Sequence, residues 1–400
     1  MEHLIVTAME NALGWTGPGK VGTDFARGSF DPGLSARLLT PTKLLDIATR
    51  RSLTTPQLRC FREGRELHPV LYSADEVGRR GQSIRMVDTV KLDGLLREGC
   101  TLVLDEVDVF DPALEVFCRA LQWWSHEIVQ INAYLTTQEA AGFDMHWDDH
   151  DVIIFQVAGE KSWEVRARSR TAPMYRDAVA TLEPSEDVVW RGTLTAGDVM
   201  HIPRGFWHQA TRAERGEGFS LHATVGFVKR TGVTWLDWLA DQGRAEERFR
   251  TDLDRWAAPE VWAAQQAELV AAVAKLAADR TPAESLHARE TQRRPARQTP
   301  AADLFMRPRE AVCVTQFEPH IDRHGSTADG TIDVLAAGKK LTFKSRAAGP
   351  LGQLLSGAPV ELADADTLAV ATALMKEGIC APMTEELSLG YTGLVTTGTR

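Results

Sequence analysis

Cysteine is scarce in this 400-residue chain, with five residues that are widely scattered and form no CxxC pair. Such spacing excludes a disulfide framework or zinc-finger pattern and is typical of reduced thiols in the cytoplasm. The N-terminus carries Glu2 and Glu10 and lacks the basic stretch and long apolar run of a signal peptide. No stretch approaches the roughly 20 apolar residues that a membrane span needs. We therefore expect a cytoplasmic protein without membrane segments.

Basic residues are also in deficit, because 45 Lys and Arg face 55 Asp and Glu and leave a formal net charge of -10. Tight nonspecific binding of nucleic acid needs a concentrated basic surface, so we expect no direct nucleic-acid contact. The chain is 44% hydrophobic and 25% charged, an ordinary globular composition. Its length allows two or three domains.

Changes in residue pattern divide the chain into five segments. We expect an N-terminal α/β extension packing on the core (1–125), a β-rich core (126–230), a helical region (231–280), a polar Pro-containing linker (281–301) and a small α+β domain (302–400). The core contains short β-rich runs separated by turn residues, notably Ala158-Gly159-Glu160 and Ala196-Gly197-Asp198. This pattern predicts a mainly β fold, a double-stranded β-helix of the cupin or jelly-roll type.

A possible metal site begins with His146 and Asp148. Residues two apart in a strand face the same side, so this imidazole and this carboxylate would meet at one point. Iron(II) in oxygenases prefers two histidines and one carboxylate on one face, with the remaining positions open. His201 and His208, in GDVMHIPRGFWHQAT, are the candidates for the second histidine. We favour His208, because the Pro203-Arg204-Gly205 turn would return it beside His146, whereas His201 precedes the turn.

Two further residues compete locally for the metal. His150 would share the face of His146 if the strand were unbroken, and Asp149 is an alternative carboxylate. We expect both to lie around the metal ligands or in solvent.

The segments HWDDHDVIIFQVAGEKSWEVR, LTAGDVMHIPRGFWHQAT and SLHATVGF resemble the JmjC-type, cupin-fold oxygenases, especially the ribosomal oxygenase branch of protein hydroxylases. The resemblance covers residues 125–230. It implies Fe(II) bound by His146, Asp148 and His208, with 2-oxoglutarate as cosubstrate and O2 as oxidant.

The resemblance also implies contacts to 2-oxoglutarate. Lys161 stands fifteen positions after His146, where the family has a basic residue that binds the far carboxylate. A lysine is a compact point charge suited to that task, and this one follows the predicted Gly159-Glu160 turn. Asn132 and Thr224 match polar cosubstrate positions of the family. Tyr134, two residues beyond Asn132 on the same face, is a further candidate.

The implied activity is that of a dioxygenase that hydroxylates a protein or peptide side chain, with ribosomal proteins among the candidates. Other functions stay open: the same chemistry on a small molecule or biosynthetic peptide, a zinc- or manganese-dependent isomerase or hydrolase, or a non-catalytic binding module. The branch layout implies a winged-helix-like domain over 302–400. Residues 231–280 hold more apolar side chains than packing on one flank of the jelly roll requires, such as Trp235, Leu236 and Leu269. We therefore expect this region to form a homodimer.

Overall fold

The computed structural model describes residues 1–53, 55–138, 143–175, 183–211, 218–228, 230–292, 299–301, 304, 307–324 and 330–396. Its contacts divide the chain into two compact units. One unit comprises Met1–Val228, Pro295–Glu318 and Arg346–Arg400, and the other comprises Lys229–Arg294 and Pro319–Ser345. Over the described ranges, no helix is both long enough and apolar enough to span a membrane.

Both units contain helices and strands. The helices are α1 (Leu4–Leu13), α2 (Pro32–Ser35), α3 (Pro41–Arg50), α4 (Thr89–Glu98), α5 (Pro112–Ser125), α6 (Gly232–Gly243), α7 (Glu247–Arg250), α8 (Pro259–Asp279), α9 (Pro282–Gln292), α10 (Ala348–Leu354), α11 (Ala365–Lys376) and α12 (Glu385–Tyr391). The strands are β1 (Glu2–His3), β2 (Ala26–Ser29), β3 (Leu58–Arg62), β4 (Arg65–Glu66), β5 (Ser73–Val77), β6 (Ser83–Val87), β7 (Thr101–Leu104), β8 (Ile128–Thr137), β9 (Asp151–Arg168), β10 (Val188–Thr195), β11 (Asp198–Ile202), β12 (Phe206–Thr211), β13 (Phe219–Val228), β14 (Glu310–Cys313), β15 (His320–His324), β16 (Thr331–Ala336), β17 (Lys339–Lys344), β18 (Val360–Glu361), β19 (Cys380–Pro382) and β20 (Val395–Thr396).

Antiparallel pairing organises the first unit into a double-stranded β-helix. The large sheet runs in the order β2-β11-β9-β13-β8-β7-β3-β4. Its central strand β13 pairs with both β8 and β9, so Thr224 lies opposite Asn132 on one side and Ile154 on the other. β10 and β12 pair with the second half of β9 and form the facing layer. The predicted fold class, a mainly β core of the cupin or jelly-roll type, is confirmed.

β9 connects the two layers as one continuous strand of 18 residues. The turn predicted at Ala158-Gly159-Glu160 is wrong. Gly159 has φ 64, and a Cβ added there would lie 2.1 Å from the carbonyl oxygen of Phe219. A glycine suits a turn, but here its positive φ lets a continuous strand bend from one layer into the other.

α5 packs on the large sheet and begins at an Asp-Pro pair, residue types that are typical of a helix start. The Asp111 carboxylate accepts a hydrogen bond from the Leu114 amide at 3.0 Å, and Pro112 occupies the first helical position. The buried rings of Phe117 in α5 and Phe155 in β9 meet edge to face, with centroids 5.5 Å apart. Ile5 of the N-terminal segment belongs to the same buried cluster.

The far side of α5 contacts the last part of the chain. The buried Arg119 guanidinium donates to the Tyr391 hydroxyl at 2.7 Å, and the Trp123 indole donates to the Thr315 carbonyl at 3.0 Å. The predicted 302–400 domain is thus divided, because residues 319–345 belong to the second unit. Its winged-helix-like character stays a prediction.

The second unit combines α6 to α9 with the antiparallel sheet β15-β16-β17. Within the predicted linker 281–301, Pro282–Gln292 form α9, so the linker prediction is wrong there. Thr281 and Glu284 cap the helix reciprocally, with the Thr281 amide donating to Glu284 Oε2 at 2.7 Å and the Glu284 amide to Thr281 Oγ1 at 3.2 Å. Residues 293–298 of the predicted linker lie outside the described residues.

Candidate metal centre

His146 and His208 come together through their backbones. The His146 amide donates to the His208 carbonyl at 3.1 Å, and the His208 amide donates back at 2.7 Å. This is an isolated antiparallel bridge, because β9 begins only at Asp151. The prediction that His146 and Asp148 share a regular strand is therefore wrong. The Asp148 carbonyl instead accepts from the Gly205 amide at 3.0 Å, which holds the irregular segment against the turn before His208.

The side chains of His146, Asp148 and His208 converge on one point. One ligand atom from each lies within 4.8 Å of the others, and His208 Nε2 is 3.5 Å from Asp148 Oδ2. His146 Nδ1 lies 2.7 Å from the Asp144 carbonyl, and His208 Nδ1 lies 3.1 Å from the Phe206 carbonyl. A carbonyl only accepts, so each Nδ1 carries the proton and each Nε2 keeps a lone pair for a metal.

The electrostatics keep His208 and Asp148 deprotonated at neutral pH. Burial and the neighbouring His146 lower the pKa of His208 to about 4. Burial opposes ionisation of Asp148, but the positive charges that His208, His150 and His146 can carry lower the pKa of this carboxyl below its usual value. Metal binding requires deprotonated ligands, so these two side chains are ready to bind a cation at neutral pH.

The competing residues lie elsewhere. His201 is fully buried, its Nδ1 lies 2.8 Å from the Asp24 carbonyl, and its Nε2 accepts from the Gly22 amide at 3.1 Å. Both ring nitrogens are therefore engaged away from the cluster. His150 Nδ1 lies 3.4 Å from Asp149 Oδ1, so this pair sits beside the three converging residues.

A cavity of about 360 Å³ opens from this cluster. All four predicted cosubstrate residues line it, namely Asn132, Tyr134, Lys161 and Thr224. Asn132 Oδ1 accepts from the Glu106 amide at 2.9 Å, which orients its amide group. Burial, followed by the charges of Asp105 and Asp148, raises the pKa of Tyr134, so its hydroxyl stays protonated.

Lys161 is buried deeply, with 1% of its surface exposed. Its ammonium donates to Thr136 Oγ1 at 2.7 Å, and that hydroxyl lies 3.0 Å from Thr101 Oγ1. Lys161 reaches this position on the continuing half of β9, opposite Leu194 of β10, and not on a strand returning from a turn.

Sequence reasoning missed several residues of the cavity. The Tyr175 hydroxyl lies 3.4 Å from Asp148 Oδ1, and Arg59 bonds Asp105 at 2.6 Å. These residues come from distant segments without a local motif, so no sequence signal marks them. His222 did carry a signal, because it stands two residues before Thr224 in β13 and therefore shares its face.

A double-stranded β-helix in which two imidazoles and one carboxylate converge at a cavity defines a cupin-fold protein with a metal centre of the two-histidine, one-carboxylate kind. Residues 107–234 match the family model of the JmjC domain. The predicted resemblance to the JmjC proteins of the ribosomal oxygenase branch is confirmed.

Known proteins of this branch are similar in part of the sequence or in fold. Ribosomal oxygenase 1 of Gallus gallus is 32% identical over 146 residues, 36% of this chain and 24% of that protein. The bifunctional lysine-specific demethylase and histidyl-hydroxylase NO66 of Drosophila persimilis is 32% identical over 131 residues, 32% of this chain and 18% of that protein. The chain thus spans about a quarter or less of the length of these relatives.

Solved structures of a bacterial protein are similar over most of the chain. The Escherichia coli ribosomal oxygenase YcfD has a TM-score of 0.52 at 17% identity, covering 91% of this chain and 96% of that one. A structure of YcfD in complex with cobalt and 2-oxoglutarate has a TM-score of 0.50 at 17% identity, with 90% and 95% covered. At this identity the likeness establishes the fold.

Proposed function

We propose that the chain is an Fe(II)- and 2-oxoglutarate-dependent dioxygenase that hydroxylates a protein or peptide side chain. The observation that carries the proposal is the cavity that joins the His146, Asp148 and His208 cluster to the buried ammonium of Lys161. A metal alone would need the cluster but not the lysine. A chelating 2-oxo acid with a second carboxylate would use both.

The residues of the cluster and the cavity fit Fe(II) and 2-oxoglutarate. Two imidazole nitrogens and one carboxylate are the donor set of non-haem iron oxygenases. Trp163 also lines the cavity, and its buried indole N–H finds no hydrogen-bond acceptor among the described residues. Such an orphaned donor costs free energy unless an acceptor such as a carboxylate is nearby.

Each part of the chain has a separate task. When bound, iron and 2-oxoglutarate supply the oxidation of a C–H bond to an alcohol by O2, with succinate and carbon dioxide as coproducts. His146, Asp148 and His208 would hold the metal. Lys161 would hold the far carboxylate, and the rings of Tyr134 and Trp163, which line the cavity, would help to exclude water.

A ribosomal protein is our first candidate substrate, since a relative and a fold neighbour are named ribosomal oxygenases. The test is anaerobic loading with Fe(II) and 2-oxoglutarate, followed by exposure to O2 with ribosomal proteins and with unrelated peptides. Mass spectrometry should detect the gain of one oxygen. Succinate formation without any modified protein would favour a small-molecule substrate. Absence of 2-oxoglutarate binding would favour a binding module or a metal-only enzyme.

We also propose that the helical region forms a homodimer. Of the 21 residues of α8, Ala272 alone is buried. The side chains of Val261, Val270 and Val273 are 53%, 61% and 50% exposed. A helix with so much apolar surface usually has a partner, and a second copy offers the same apolar surface.

Light scattering at micromolar concentration tests the dimer. The wild-type chain should have twice the monomer mass, and Val273→Asp should reduce it to the monomer. Val77→Asp is the matched control, because it introduces the same charge at another exposed valine. Val77 is 75% exposed and lies on β5 of the other unit. A monomeric wild type would contradict this proposal.

The thiols support a cytoplasmic location, which also stays a proposal. All five cysteines are free and buried, as expected of a protein kept in a reducing compartment.

A further inference from the structure

We propose that His222 is a positioning residue for 2-oxoglutarate, whose Nε2–H donates a hydrogen bond to the same carboxylate that Lys161 holds. This inference rests on the proposed function. It gives a role to a buried side chain that belongs neither to the metal cluster nor to the cosubstrate residues predicted from sequence.

The surrounding rings fix the position of His222. It lies in β13 opposite Tyr134 of β8, lines the cavity, and has 4% of its surface exposed. The His222 and Tyr134 rings stack at 4.7 Å with an interplanar angle of 4°. The Trp163 ring meets it edge-on at 5.5 Å and 74°. The ring therefore presents its nitrogens in fixed directions.

The charge state of the ring follows from its surroundings. Burial and the nearby Lys161 ammonium lower the pKa of His222 well below its usual value, so the ring is neutral at physiological pH. A neutral imidazole has one N–H and one lone pair. His222 can therefore donate one hydrogen bond and cannot repel the ammonium as a second cation.

The surroundings of Nδ1 indicate which nitrogen of His222 carries the proton. Nδ1 of His222 is buried and has no hydrogen-bond partner among the described residues. A buried N–H without an acceptor costs more than an unused lone pair, and such orphaned donors are rare in folded proteins. The proton therefore belongs on Nε2, the nitrogen left to face the cavity.

The donors at this end of the cavity point to an acceptor-only ligand. The Lys161 ammonium influences His222 electrostatically, and the Trp163 ring contacts the His222 ring directly. A carboxylate accepts several hydrogen bonds at once, and those from charged donors are the strongest. A distal carboxylate held by Lys161 would thus find a second, neutral donor in His222.

Two 2-oxo acids test this role against a simple packing role. 2-Oxoglutarate and 2-oxobutyrate share the metal-chelating end, but only the first has a distal carboxylate. We would titrate each anaerobically into Mn(II)-loaded wild type, His222→Phe and His222→Gln. His222→Phe keeps an aromatic ring without N–H and should weaken 2-oxoglutarate about tenfold, the value of one hydrogen bond to a charged group. Binding of 2-oxobutyrate should not change, and His222→Gln, which retains an N–H, should recover part of the loss.

The contrary outcomes are distinct. Equal weakening of both acids, or none, in His222→Phe would overturn the inference and leave the oxygenase proposal standing. A wild type that binds no 2-oxoglutarate would overturn both. Independently of folding in the variants, ¹H–¹⁵N NMR of the wild-type imidazole should show a neutral ring protonated at Nε2. A doubly protonated ring, or a proton on Nδ1, would refute the proposed donor.

Discussion

The amide and carbonyl of His146 bond those of His208 in both directions, at 3.1 and 2.7 Å. Such a reciprocal pair is a closed rung of an antiparallel ladder, so neither residue can slide along the other without breaking both bonds. The backbone pairing therefore places the two side chains next to each other, and their ring centroids lie 4.3 Å apart. The cluster is preorganised for its metal.

Replacing His208 should remove metal binding, whereas replacing His201 should not. We expect His208→Ala to weaken Mn(II) or Co(II) binding by more than the roughly 10- to 100-fold typical of residues that only orient a ligand. His201→Ala is the control, since it loses hydrogen bonds to Gly22 and Asp24 and should cost about 1–3 kcal/mol of folding stability. Isothermal titration calorimetry and thermal melting separate the two effects. Lost metal binding only in His201→Ala would reverse the assignment.

Lys161 should determine the affinity for 2-oxoglutarate without affecting the metal. A charge-assisted hydrogen bond in a closed cavity contributes about 1.5–3 kcal/mol, so Lys161→Ala should raise the dissociation constant roughly 10- to 100-fold. Lys161→Arg should retain more affinity, because the charge survives. The charge-transfer absorbance of the anaerobic Fe(II) protein reports the titration. Unchanged 2-oxoglutarate affinity in Lys161→Ala would disprove the anchoring role.

Gly159 should tolerate substitution far less than another glycine of similar φ. Gly14 has φ 67 and open space where the methyl group of an alanine would lie, whereas a Cβ at Gly159 would collide with the Phe219 carbonyl. Gly14→Ala should cost about 1–2 kcal/mol, the strain of a left-handed residue. Gly159→Ala should cost more, because the β9–β13 pairing must also shift. Urea unfolding measures both, and equal losses would show that the bend is not confined by β13.

His3 should make folding stability depend on pH. Burial, aided by Arg37, lowers the pKa of His3 to about 4, against 6.5 for an unperturbed histidine. Between these values the unfolded chain binds the proton more readily, so stability falls as pH decreases from 6.5 and levels off below 4. The loss attributable to His3 should approach about 3 kcal/mol. Protonation also removes the Nδ1 acceptor that caps the Ile5 amide at 3.2 Å.

Comparing urea unfolding of wild type and His3→Asn at pH 7.5 and 4.5 isolates this residue from the other histidines. Asparagine can cap a helix without titrating. The variant should lose less stability on acidification than the wild type. Parallel losses in the two proteins would exclude His3 as the source.

Short sequence patterns predict those helix starts and strands that depend on a few neighbouring residues. Asp111 and Pro112 are the residue types expected at an N-cap and a first helical position, and the short β-rich runs of 126–230 form strands such as β8 and β13. A single glycine was ambiguous, because Gly159 meets the needs of a turn and of a bent strand equally well. The reciprocal cap of Thr281 and Glu284 was present in the sequence, but the polar composition around it favoured a linker.

For the site, the family resemblance indicated Asn132 and Thr224, and alternation along the strand added Tyr134; the structure brings all three to the cavity. The contribution of Arg59 or Tyr175 could not be predicted, because nothing near either residue indicates which distant segment it will meet. The position of His201 depended on its hydrogen bonds to Gly22 and Asp24, which lie 179 and 177 residues earlier in the chain.

The central strand of the large sheet is also the last core strand to be synthesised. β13 lies between β8 and β9, yet all three converging metal ligands precede it in the chain. A nascent or truncated chain that ends before Phe219 therefore leaves facing edges of β8 and β9 unpaired, and open edges of this kind promote aggregation. Translation must pass Val228 before the sheet behind the three converging ligands is closed, so premature termination should produce insoluble fragments instead of soluble chains that bind a metal.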